Sequence, residues 1–130
     1  MAKIGARCGA SAILPNDHAI GILSGNALKI TVDKSRYSNA FIWQQLWFFH
    51  LTQGLDGLKN VGAQPAISIS NLKEFELPIP NDLDEQQRIA SCLSSLDALI
   101  TAETQQLEAL KTHKKGLMQQ LFPSPQAVEA

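Results

Sequence analysis

The sequence predicts an α+β chain: a small mixed domain of short strands and one helix, followed by a long C-terminal coiled-coil-type α-helix. Three observations carry this reading. From Asp82 to Phe122 no proline interrupts the chain, and Ile89, Leu93, Leu96, Ile100, Leu107, Leu110, Leu117 and Leu121 recur at alternating four- and three-residue steps, with Glu103 and Lys114 as polar entries in the series. Such a seam marks a helix that packs lengthwise against another helix. Further back, Leu28, Ile30 and Val32 alternate with Lys29, Thr31 and Asp33, the period of a half-buried strand. Between the two, the stretch from Asn39 to about Gln53 reads as a helix with five of the eight aromatic residues.

Composition narrows the class. A hydrophobic content of 45% argues against disorder, and a net charge of −1 gives no global basic signal. The charge is uneven, with seven Lys/Arg against five Asp/Glu up to Pro80 and four against seven from Asn81 onward. The split suggests two parts with different partners. Cys8 and Cys92 lack metal-ligand spacing and any disulfide logic, which points to free thiols in a reducing, cytoplasmic compartment. Gly5, Arg7 and Gly9 break any signal-peptide core, and the apolar run Phe41 to Leu51 is too short to span a bilayer. No membrane association is expected.

Taken in order, Met1 to Ala12 reads as a short strand and turn around Gly5 and Gly9. Neither phosphate-cradling glycine pattern is present. Ser11 to Leu14 and Gly21 to Asn26 read as short strands, and Ala27 to Asp33 as the clearest one. His18 sits on a loop beside Asp17, without a second ligand at useful spacing. Ser38 is the expected N-cap of the aromatic helix, whose apolar residues spread around most of its circumference. Burial on several sides fits this better than stacking on bases, because no cations are interleaved. Gly54 to Pro65 reads as a loop, Ala66 to Ser70 as a strand, and Asn71 to Phe75 as a turn of helix. Pro78 and Pro80 confine their segment to an edge.

Asp82 then caps the long helix, with Glu85 three residues on, acidic residues in the first turn and lysines at 111, 114 and 115 towards the end. If helical throughout, this segment is about 60 Å long. The chain offers no second segment of comparable length, so the mate of the seam is expected in another chain. Pro123 and Pro125 stop the helix, and the rest is expected to be a loose tail. The expected division is 1–80, 81–123 and 124–130.

Two groups of polar residues are candidates for contact with nucleic acid. Lys3 and Arg7 flank the first glycines, either as solvated cations or as phosphate ligands; spacing alone favours the former. Lys59, Asn60 and Gln64 lie in the glycine-rich loop. Asn and Gln can pair bidentately with adenine, and Lys suits phosphate or guanine. On these residues alone, a plain connecting loop explains the stretch equally well. His18, His50 and His113 are dispersed, and no nucleophile–base pair can be argued.

Several segments together resemble a known family. They are Gln64-Pro65-Ala66-Ile67-Ser68, Leu77-Pro78-Ile79-Pro80, Glu85-Gln86-Gln87-Arg88-Ile89-Ala90, Leu93, Leu96-Asp97, and Lys115-Gly116-Leu117-Met118-Gln119-Gln120-Leu121-Phe122. Ala2-Lys3-Ile4-Gly5 and Ile22-Leu23-Ser24-Gly25-Asn26 fit less specifically. The pattern resembles the specificity subunit of type I restriction–modification enzymes, over the end of a target-recognition domain and the helical spacer after it. The resemblance implies a non-catalytic, cofactor-free protein that recognises double-stranded DNA. It also implies docking to modification (methyltransferase) subunits, and through them association with the restriction subunit. In that family two recognition domains read the halves of a split site, and two long helices pair antiparallel to set the distance between them. Methyl transfer and cleavage belong to the other subunits, and this chain has no Asn-Pro-Pro-aromatic motif, glycine-rich S-adenosylmethionine loop or Glu-x-Lys nuclease core. The part before the helix is short for one such domain, so the chain is expected to begin inside it. The seam Ile89 to Leu121 is then expected to form an antiparallel homodimer. The alternative is a regulatory or scaffold fragment that binds the modification or full-length specificity subunit without reading DNA.

Overall fold

The computed structural model describes residues 1–17, 19–60, 62 and 64–122. His18, and the proline stop and tail expected from Pro123 onward, lie outside the described residues. The elements are α1 (Asn39–Leu51), a 3-10 turn (Asp56–Leu58), β1 (Lys59–Asn60), β2 (Ala66–Ile67), α2 (Ile69–Lys73) and α3 (Leu83–Leu121). The chain forms two compact units, Met1–Ser91 and Cys92–Ala130. A small two-stranded sheet and a long C-terminal helix make it α+β, as the sequence predicts.

The first unit is held together by short pairings. β1 and β2 are antiparallel, Lys59 opposite Ile67 and Asn60 opposite Ala66. The N-terminal segment lies along the other edge of β2: Ile4 bridges Ala66, and the Ile67 N–H donates to the Lys3 carbonyl at 2.9 Å. On its far side Ala2 bridges Ala27, and the Leu28 N–H donates to the Met1 carbonyl at 2.8 Å. Gly5 and Gly9 turn this segment with φ of 90° and 93°, conformations in which a Cβ is strained.

The hydrophobic core gathers where the two longer helices meet within this unit. Phe41, Ile42 and Leu46 of α1 pack with Ala90 of α3, and Met1, Val32, Tyr37, Ala40, Leu77 and Ile79 close around them. A second buried group, Cys8, Leu55 and Ile67, lies under the glycine turn. Ser38 caps α1 by accepting from the Phe41 N–H at 3.4 Å, and Ser68 caps α2 by accepting from Asn71 at 3.0 Å. Asp82 accepts from the Asp84 N–H at 3.0 Å at the start of α3.

Three local expectations are corrected. Residues 11–14, 21–26 and 28–33 form no strand; apart from the bridge at Ala27 they have no neighbouring ladder to join, and alternation alone cannot satisfy backbone N–H and C=O groups. The expected loop from Gly54 holds the 3-10 turn and β1, because Lys59 and Asn60 find a ladder partner in β2. The expected strand to Ser70 stops at Ile67, where the Ser68 cap starts α2 two residues early. α1 buries Phe41, Ile42 and Leu46 and half-buries Trp43, Phe49 and His50, so it is covered on several sides, while Trp47, Phe48 and Leu51 are exposed.

Candidate functional site

The short pairings bring most of the polar candidates onto one small region. Lys3 and Asn60 flank the Ala66–Ile67 strand from opposite edges, and Lys59 faces Ile67 in the ladder. The Gly5 N–H donates to the Pro65 carbonyl at 3.1 Å, which holds the start of the Arg7 turn next to Gln64. Arg7 and Gln64 are exposed, Lys3 is half-buried, and neither Lys3 nor Arg7 has an ion-pair partner among the described residues.

Lys59 differs from the other two cations. Its ammonium is paired with the Asp56 carboxylate three residues back, at the start of the 3-10 turn. Asn60 is also held: the Asn71 side-chain amide donates to its Oδ1 at 3.4 Å and to the Leu58 carbonyl at 3.0 Å. Asn71 thus braces the 56–60 segment from α2. Neither Asp56 nor Asn71 stands out in the sequence; the three-residue spacing of Asp56 and Lys59 was the one available signal. Among the described residues no three His, Cys, Asp or Glu side chains gather as a metal site.

The helix seam is the second candidate. In the second unit, every described residue from Cys92 to Phe122 is exposed apart from Gly116, which is half-buried. Leu93, Leu96, Ile100, Leu107, Leu110, Leu117 and Leu121 are therefore open to solvent along one stripe, Ile100 at 63% and Leu121 at 71%. Ile89 is exposed at 37% on the part of α3 that belongs to the first unit. An exposed apolar stripe of this length marks an interaction surface. Among the described residues, no helix is long and apolar enough to cross a membrane.

Sequence reasoning missed the residue that ties the start of α3 to the rest of the first unit. Gln86 is fully buried, and its amide makes three hydrogen bonds. Oε1 accepts from the Ser38 N–H at 2.8 Å, while Nε2 donates to the Pro80 carbonyl at 2.8 Å and the Arg36 carbonyl at 3.3 Å. The first turn of α3 is thereby tied to the N-cap of α1 and to the proline segment that precedes α3. A glutamine four residues before buried Ala90, on the inward face of a helix, was the sequence signal.

Comparison with known proteins places these features. A family model described as the type I restriction modification DNA specificity domain matches residues 2–112. A Methanocaldococcus jannaschii protein named as the specificity subunit of the type I restriction enzyme MjaX is 42% identical over 59 residues, 45% of this chain and 14% of that protein. The MjaVIII specificity subunit of the same organism is 32% identical over 105 residues, 78% of this chain and 23% of that protein. The chain thus spans less than a quarter of the length of either relative. No solved structure matches it significantly.

Proposed function

Because the chain belongs to the type I restriction modification DNA specificity family, we propose that it is a non-catalytic DNA-recognition subunit that dimerises antiparallel through α3. One observation carries the proposal: a seam of eight apolar residues, Ile89 to Leu121, that no described residue covers. A helix so exposed gains its stability from a mate, and burying most of this stripe against an identical one removes apolar surface from water on both copies. Charge supports the antiparallel sense. Within the seam itself the acidic residue, Glu103, precedes the basic one, Lys114. Antiparallel pairing can set each against the opposite charge of the partner, and it aligns the helix dipoles favourably.

Residues 1–80 are the recognition part, and the helix that follows is the spacer and pairing element. In the dimer one recognition part stands at each end of the helix pair, and each contacts double-stranded DNA. Arg7 and Lys3, which have no ion-pair partner among the described residues, provide cations for phosphate. Asn60 and Gln64 address base edges, and Lys59 joins them when it exchanges Asp56 for phosphate. The paired helices dock modification subunits, which carry methyl transfer and link to the restriction subunit, in the cytoplasm. Light scattering across micromolar concentrations is expected to give twice the 14.2 kDa chain mass; a monomer mass would refute the dimer. Duplex binding should weaken steeply with salt; no binding at low salt would remove the DNA contact.

The pairing of Lys59 with Asp56 favours one second reading, a scaffold role without DNA reading. The mate of α3 is then a modification or full-length specificity subunit. Capture of a purified modification subunit without any DNA affinity would support it.

A further inference from the structure

We infer that Glu103 and Lys114, the two charged entries in the seam, fix the register of the antiparallel pair by forming two symmetric ion pairs across it, an inference that rests on the homodimer reading above. Both residues are exposed on α3, and neither takes part in the ion pairs found among the described residues, Lys59–Asp56 and Lys111–Glu108. Each occupies a seam position, so pairing of the helices carries its charge into the interface.

The seam admits few registers. With the two-fold axis between Glu108 and Ala109, Glu103 lies opposite the partner's Lys114. The other layers are Leu96 with the partner's Leu121, Ile100 with the partner's Leu117, and Leu107 with the partner's Leu110, each occurring twice. Six layers are wholly apolar and two join opposite charges. Shifting the axis to Gln105 also gives six apolar layers, and it additionally pairs Ile89 and Leu93. It does so by setting Glu103 against Leu107 and Lys114 against Leu96, four charges facing leucine. Desolvating a charge against an apolar side chain costs far more than desolvating it against its counter-ion. A parallel, in-register pair is worse still, since it stacks Glu103 on Glu103 and Lys114 on Lys114. A polar residue at one seam position is a known means of specifying register and orientation at some cost in stability. In this register the paired segment runs from Leu96 to Leu121, and Ile89 and Leu93 lie beyond it.

Charge swaps on the full chain test this by sedimentation equilibrium. E103K places two lysines in each charged layer, and K114E places two glutamates there. Each alone is expected to weaken dimerisation roughly a hundredfold or more. An equimolar mixture of the two is expected to form a one-to-one heterodimer, and the E103K/K114E double variant to dimerise as the natural chain does. Circular dichroism checks that α3 stays helical in each. Single variants that dimerise normally, a mixture without heterodimer, or a double variant no better than the singles would overturn the register while leaving the dimer intact. A monomeric natural chain would overturn the dimer reading itself.

Discussion

Replacing Gln86 with leucine tests how the start of α3 is held within the first unit. The side chain is fully buried, and leucine roughly conserves its bulk while removing the amide. Three partners lose their bonds: the Ser38 N–H at 2.8 Å, the Pro80 carbonyl at 2.8 Å and the Arg36 carbonyl at 3.3 Å. The two short bonds are worth about 1 kcal/mol each and the long one less, while a buried N–H left unpaired adds about 1 kcal/mol or more. The expected loss is about 3 kcal/mol, a large part of the stability of a small domain. Urea unfolding followed by tryptophan fluorescence reads it directly, because Trp43 and Trp47 both lie on α1. Protein concentration is held fixed, since the proposed dimerisation would add to apparent stability. Gln87, adjacent and exposed, is the control; its leucine variant should stay within about 0.5 kcal/mol of the natural chain. Gln86→Glu adds a pH signature. Burial and two facing carbonyls raise the folded-state pKa of the new carboxyl. Stability is then greatest below the unfolded-state pKa and is lost as pH rises through the raised folded-state value. Equal stability of the Gln86 and Gln87 leucine variants would refute the role of the amide.

Three other outcomes are expected. Gly9→Ala should destabilise by about 1–3 kcal/mol in thermal melts, because φ is +93° and the new Cβ would meet Leu55 Cδ1 at 3.0 Å and His50 Nδ1 at 3.2 Å. Asp56→Asn frees Lys59 and should raise duplex affinity at low salt by up to about fivefold, the scale of one exposed ion pair; unchanged affinity in a fluorescence-anisotropy titration would exclude Lys59 from the contact. The Asp33 carboxyl is held below its ordinary pKa by the Ser35 hydroxyl and then by the Ser35 N–H. Its contribution to stability is therefore present above the unfolded-state pKa and lost as pH falls through the lowered value. Ser35→Ala should move the carboxyl resonance midpoint upward in an NMR pH titration.

Local signals were legible in the sequence where the structure satisfies them locally. The Asp82 cap, the uninterrupted run to Leu121 and the four-three seam define α3 without help from the rest of the chain. Ser38 likewise marks the start of α1. Strands were less legible because a strand is completed by its neighbour. The alternation from Leu28 to Asp33 found no ladder, whereas Lys59 and Asn60, without any alternating run, found one in β2. The cations show the same limit. Lys3, Arg7 and Lys59 look alike in the sequence, and only the fold reveals that Lys59 is engaged by Asp56. Gln86 lies within the Glu85–Ala90 motif, but its role depends on Arg36 and Ser38, about fifty residues earlier.

The distance between the two copies of Cys92 tests the central claim most directly. Cys92 is exposed on α3, whereas Cys8 is only 2% exposed, so a nitroxide reagent reaches Cys92 selectively. In the antiparallel pair with its axis between Glu108 and Ala109, the rise per helical residue puts the two Cys92 backbones about 50 Å apart. Axis placement at Gln105 gives about 39 Å, and a parallel pair brings them within about 10–15 Å. A dipolar spectrum centred near 50 Å is the predicted result. A short distance, or no intermolecular distance at all, would contradict the account.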